Sequence, residues 1–130
     1  MLGTSRCQLC EVQEETIEHL LNNCILTSRL WDFFATIFKQ SDRDKGSITK
    51  TLNNWRNKFL DNEVLNSSWA LLPSFIIWNV WKERNIRIFK EEKNSSLRLL
   101  EQISKQLRET INIIVRDLPK ILLQKQSYQF

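Results

Sequence analysis

Apolar residues recur every three or four positions along most of the chain, a spacing typical of amphipathic helices. Leu30, Trp31, Phe34 and Ile37 illustrate this spacing within one short segment. Apolar and polar residues nowhere alternate over a stretch long enough for a strand, and only two glycines and two prolines interrupt the chain. The pattern therefore predicts an all-α protein with about five helices.

The predicted helices cover residues 16–22, 28–39, 48–60, 69–90 and 97–117, with a polar loop at 40–47. Pro73 would lie near the first turn of the fourth helix, where a missing backbone donor costs little, and Pro119 should end or bend the last helix. An apolar stripe is predicted on the last helix: Leu97, Leu100, Ile103, Leu107, Ile111, Ile114 and Leu118. We expect one domain over 1–130, with a zinc-binding knuckle and short helix at 1–27 and a helical core at 28–130.

All three cysteines and the single histidine lie within the first 24 residues, as Cys7, Cys10, His19 and Cys24. Three thiolates and one imidazole at the spacing C-x2-C-x8-H-x4-C match a closed tetrahedral zinc site. The alternative is that the cysteines are small buried residues and His19 is an ordinary helix histidine. With no spare cysteine or histidine elsewhere, we expect one Zn²⁺ per chain, held by these four residues.

Catalysis is not expected. Four protein ligands leave no open position for a metal-bound water, and no histidine lies apart from the cysteines to activate a thiol. The chain has no glycine-rich phosphate-binding loop. It also has no apolar run long enough to cross a membrane and no secretory signal, so we expect an intracellular protein of the nucleus or cytoplasm.

Positive charge is concentrated late in the chain. Residues 1–81 carry a net charge of −1 and residues 82–130 a net charge of +5. The candidate contacts to nucleic-acid phosphates are Lys82, Arg84, Arg87, Lys90, Arg98, Lys105 and Arg108. The alternative is a solvated surface of mixed charge. Trp78 and Trp81 could stack on bases, but their helical spacing favours a place in the core.

Two segments together resemble a known family. The cysteine and histidine pattern, with Glu14, Glu15 and "HLLNNC" around His19 and followed by Trp31, is similar to the zinc-binding domain found downstream of reverse transcriptase in plant non-LTR (LINE-type) retrotransposons. The segment "LPSFIIWNVWKERNIRIFK" at 72–90 resembles the tryptophan-rich helix of the same family. The resemblance implies a zinc-binding, nucleic-acid-associated module of the element's polyprotein.

Two functions are therefore considered. The first is a non-catalytic zinc module that binds RNA or DNA through its backbone. The second is a protein-interaction or oligomerisation module with structural zinc, which docks a partner or a second copy through the apolar stripe of the last helix.

Overall fold

The computed structural model describes residues 5–40, 46–58, 60 and 62–127, so positions 41–45 of the predicted loop lie outside the described residues. The described residues form a short π-helix, His19–Asn23, followed by α1 (Ile25–Ile37), α2 (Ile48–Arg56), α3 (Glu63–Phe89) and α4 (Ser96–Ser127). The predicted all-α fold with about five helices is confirmed. No helix in the described ranges combines the length and hydropathy that a bilayer crossing requires.

Side-chain caps explain where three of the helices begin. Ser95 Oγ accepts a hydrogen bond from the Arg98 N–H at 3.1 Å just before α4. The Ser47 side chain accepts from the Lys50 N–H ahead of α2. The Asn62 side chain accepts from two N–H groups in the first turn of α3. Ser, Thr and Asn favour this position because their oxygens satisfy donors that the helix itself leaves free.

The position predicted for Pro73 was wrong, because α3 begins at Glu63 and the proline lies deep inside it. An interior proline leaves the carbonyl four residues earlier without its backbone donor. That carbonyl belongs to Trp69, and it accepts a hydrogen bond from Trp55 Nε1 at 2.7 Å. Trp69 Nε1 donates in return to the Trp55 carbonyl at 2.7 Å. A partner from α2 thus compensates the bond that Pro73 removes.

The same two indole rings are stacked almost parallel, with their centroids 3.6 Å apart. We call the pair Trp55 and Trp69 the tryptophan junction. Both residues are buried, so the junction combines apolar burial with two satisfied indole donors. It fixes the end of α2 against the first half of α3.

One continuous core joins the helices. It includes Leu30 and Trp31 on α1, Ile76 and Val80 on α3, and Ile103 on α4, all essentially inaccessible to solvent. The same buried cluster includes four residues from the N-terminal segment: Cys7, Leu9, Leu20 and Cys24. The N-terminal segment is therefore packed into the core that the longer helices build.

The predictions for the last helix need two corrections. The helix continues through Pro119 to Ser127, since a proline removes only one backbone hydrogen bond and good helix formers flank it on both sides. The stripe also includes Leu99 and not Leu97, since Leu99 is buried whereas Leu97 is 64% exposed. Leu99 lies four positions before the buried Ile103 and shares its helix face, whereas Leu97 lies six positions before it and does not.

The middle of the apolar stripe of α4 is consequently not free for the partner that the alternative function requires. Ile103 and Leu107 are buried within the molecule's own core, and Leu100 and Ile111 pack against it. The side chains of Ile114 and Leu118 lie outside the described side chains.

The expectation that Trp78 and Trp81 are core residues was also wrong. They are 57% and 45% exposed. The inner face of α3 instead carries the buried polar residues Asn79 and Glu83, and Asn79 Nδ2 donates to Gln106 Oε1 on α4 at 2.7 Å. The spacing of apolar residues could not show which side of α3 faces the core, because α3 carries apolar residues on most sides and polar residues on part of its buried side.

Candidate metal centre

Residues 5–15 form a tight loop that carries the first two cysteines. The Cys7 N–H donates to the Gln13 carbonyl at 2.7 Å, and the Glu15 N–H donates to the Ser5 carbonyl at 3.0 Å. Inside the loop the Glu11 N–H donates to the Cys7 carbonyl, and Glu11 itself has a left-handed backbone with φ of 60°. The chain therefore reverses direction directly after Cys10. This reversal brings the two ends of the loop together, where Arg6 and Glu14 form an isolated antiparallel bridge.

The π-helix positions the other two candidate ligands. The Cys24 N–H donates to the His19 carbonyl at 2.6 Å, which closes a turn between residues five apart. Cys24 then serves as the residue from which α1 begins. The widened turn is stabilised by α1, because Thr27 Oγ1 and Trp31 Nε1 donate to the carbonyls of Leu20 and Leu21. We call the whole segment from residue 5 to residue 24 the knuckle.

The ligand atoms of Cys7, Cys10, His19 and Cys24 all lie within 4.8 Å of one another. The sulfurs of Cys7 and Cys24 are 3.8 Å apart, too long for a disulfide. Tetrahedral zinc with Zn–S bonds of 2.3 Å separates two sulfurs by about 3.8 Å. The Cys10 sulfur lies 3.3 Å from His19 Nε2, which identifies Nε2 as the nitrogen that faces the centre. The four predicted residues thus form a Cys3His cluster compatible with a bound metal ion.

Backbone donors and burial act differently on the thiols. Burial tends to raise the pKa of Cys10, but hydrogen bonds, led by those from the backbone of Gln13 and Val12, outweigh it and lower the pKa to about 6. Burial raises the pKa of Cys24 to about 12, and the adjacent Cys7 sulfur adds to the rise. At neutral pH and without metal, Cys10 is a thiolate and Cys24 a thiol. Metal binding would therefore release a proton from Cys24.

Three of the four acidic residues of the knuckle contact other parts of the chain. Glu15 forms an ion pair with Arg84 of α3, at 2.9 Å. Glu18 Oε2 accepts the Ile48 N–H at 2.8 Å at the start of α2. Glu11 pairs with Lys93 at the surface. These carboxylates attach the knuckle to the helices around it.

Arg87 makes the most extensive of these attachments. Its side chain is 8% exposed and pairs at 2.8 Å with Glu83, which is 1% exposed. The guanidinium also donates to the carbonyls of Gln8 and Leu9, which lie between the first two cysteines, at 3.0 and 2.8 Å. It donates further to the Asn94 carbonyl, and the Asn94 N–H and side chain donate to Glu83. Arg87 therefore connects the loop that carries Cys7 and Cys10 to α3 and to the segment before α4.

The predicted phosphate contacts fall into two groups. Arg87 is not available to a phosphate because its donors are used inside the protein, and Arg84 is committed to Glu15 with its side chain 24% exposed. The remaining five are exposed on α3, at its end or on the outer face of α4: Lys82, Lys90, Arg98, Lys105 and Arg108. The inward role of Arg87 was missed, although its spacing of four residues from Glu83 is a recognised signal for an ion pair.

The chain matches no protein-family model, and no curated protein or solved structure is significantly similar to it. A cluster of three cysteines and one histidine, largely buried and joined to the core, is suited to holding an ion that stabilises the fold.

Proposed function

We propose that the protein is a non-catalytic zinc-binding module in which one Zn²⁺ is held by Cys7, Cys10, His19 and Cys24. The observation that carries the proposal is the convergence of all four ligand atoms within 4.8 Å. Thiolates and imidazole together suit a borderline-soft ion without redox chemistry, and zinc prefers the tetrahedral arrangement that four such ligands supply. Four protein ligands leave no position for substrate, so the role proposed for the ion is structural.

We further propose that the module derives from a retrotransposon polyprotein of the reverse-transcriptase type. Support comes from the resemblance in the cysteine and histidine pattern and in the tryptophan-rich segment 72–90. The proposed role is to assist nucleic-acid binding through exposed lysine and arginine side chains. Arg84 and Arg87 are left out of this proposed surface, because both hold the knuckle against α3.

Elemental analysis of the purified protein tests the metal proposal. The parent should contain one zinc per chain, and a variant combining Cys10→Ser with His19→Ala should contain none, since two ligands are lost. Val12→Ser is a matched control, because Val12 lies in the same loop but is 74% exposed. It should keep its zinc. A parent protein that is fully folded without metal would contradict the proposal.

A further inference from the structure

The outer surface of α3 carries an aromatic face, which we define as Trp78, Trp81 and Phe89 together with the residues between them that line one shallow cavity. Phe89 is 79% exposed, and the two tryptophans are about half exposed. The cavity is also lined by Lys82, Asn85, Ile86 and Lys90. At 1.5 Å per residue the face extends about 16 Å along the helix. Each of the three aromatic side chains is at least 45% exposed.

The charged residues that line the cavity are of one sign, although the exposed Glu91 and Glu92 directly follow α3. Lys82 and Lys90 are among the lining residues, and none of the lining residues is acidic. The acidic residues of α3 are Glu63, in its first turn, and Glu83, which is buried and paired with Arg87. The face therefore favours an anionic occupant.

Trp81 is held in position by the knuckle. The Arg84 guanidinium lies over the Trp81 ring, 5.1 Å from its centroid, and Glu15 holds that guanidinium through two contacts of 2.9 and 3.0 Å. A fixed indole loses less side-chain entropy when a ligand stacks on it. The metal-binding segment thereby helps to order the edge of the aromatic face.

We infer that the aromatic face binds single-stranded nucleic acid, with bases stacked on Trp78, Trp81 and Phe89 and phosphates contacted by Lys82 and Lys90. Aromatic rings combined with cations are the elements of sequence-tolerant single-strand binding. Protein interfaces are enriched in aromatic residues but depleted in lysine, so the two lysines are the feature that favours nucleic acid over a protein occupant. The rings would stack on base faces and the ammonium groups would contact phosphates. RNA and DNA share both features, so the inference covers single strands of either. The inference rests on the nucleic-acid part of the proposed function and assigns it a surface.

Fluorescence anisotropy with labelled oligouridine, oligodeoxythymidine and duplex DNA tests this assignment on the full chain. Trp78→Leu keeps an apolar side chain but removes the ring, and it should weaken binding to both single strands about tenfold. Trp78→Phe keeps a ring and should stay within about threefold of the parent. Duplex binding should not change for either variant, because paired bases are not available for stacking. Zinc content and helical circular dichroism should match the parent, since Trp78 is exposed.

Salt dependence separates the aromatic face from the outer face of α4. Lys82→Gln should reduce the slope of log Kobs against log salt by about 0.7, the value for one phosphate on a single strand. Lys105→Gln, the same change on an exposed residue of α4, should leave the slope as it is. The inference would be overturned if Lys82→Gln had the same slope as the parent, Lys105→Gln had a reduced slope, and Trp78→Leu kept the affinity of the parent. The proposed function would still stand in that case.

Two other results would also overturn it. A zinc-loaded parent that binds no nucleic acid would refute both the inference and the nucleic-acid part of the proposed function, while the zinc part would stand. A parent that sediments as a dimer, and becomes a monomer on Trp78→Leu with nucleic-acid affinity unchanged, would show that the aromatic face binds a second copy.

Discussion

The knuckle and the tryptophan junction both fasten separate parts of the chain to α3, but different forces stabilise them. The knuckle contains the four candidate metal ligands, and it is joined to α3 by a buried arginine and an ion pair. The junction is joined by two stacked indoles and their reciprocal hydrogen bonds. The stability of the knuckle depends on the ionisation of its side chains and, as we propose, on a zinc ion, whereas that of the junction depends mainly on burial. The two regions should therefore respond to different perturbations.

Metal removal should give the largest difference between the two regions. Structural zinc contributes on the order of 10–16 kcal/mol of binding free energy, and in the proposed site that energy would be concentrated in the knuckle. With a chelator, hydrogen exchange should become fast in residues 5–24 and stay slow around Leu72 and Ile76 in the core of α3. The same treatment should leave exchange unchanged in the Cys10→Ser, His19→Ala variant, which has no metal to lose. Uniform loss of protection over the whole chain would show that the regions are not separable.

Breaking the buried ion pair should have the next largest effect. Arg87→Met leaves Glu83 buried without its cation and removes a donor from two knuckle carbonyls, so it should lower the free energy of unfolding by about 3 kcal/mol. Lys93→Met is the matched control, because its pair with Glu11 is more than half exposed. That change should cost about 0.5 kcal/mol or less. Urea unfolding of the zinc-loaded proteins measures both, and equal costs would contradict the role assigned to Arg87.

The smallest expected effect concerns the tryptophan junction. Trp55→Phe removes the donor to the Trp69 carbonyl and should cost about 1–2 kcal/mol. In a Pro73→Ala background, position 73 gains a backbone N–H that can bond to the same carbonyl. Trp55→Phe should then cost less, with a coupling of about 1 kcal/mol in a double-mutant cycle. Strictly additive costs would mean that the indole does not compensate for the proline.

The cluster of Cys7, Cys10, His19 and Cys24 could be predicted from the sequence because these residues are close along the chain and belong to rare residue types. Four ligands within eighteen residues leave few ways to arrange them around one ion. The all-α fold was predictable for a similar reason, since helical spacing is a local property. The ligand cluster and the all-α fold, which both depend on local sequence pattern, were therefore predicted well.

The orientation of α3 could not be predicted in the same way. The side of α3 that faces the core includes Glu83 and Asn79. Their burial depends on hydrogen-bond partners in the segment before α4 and in α4 itself. Spacing alone therefore placed Trp78 and Trp81 inside. Pro73 was misplaced for a related reason, because tolerance of an interior proline depends on Trp55, which approaches from another helix. These features are tertiary, and single-sequence periodicity does not contain them.

The central claim is that Cys7, Cys10, His19 and Cys24 hold one zinc ion. Zinc K-edge X-ray absorption of the purified protein tests it most directly, because the fine structure reports the number and type of ligand atoms. We expect three sulfurs at about 2.3 Å and one nitrogen at about 2.0 Å. The nitrogen signal should be lost or altered in a His19→Ala variant. Two sulfurs with two oxygen or nitrogen ligands, or a protein without zinc, would contradict the claim.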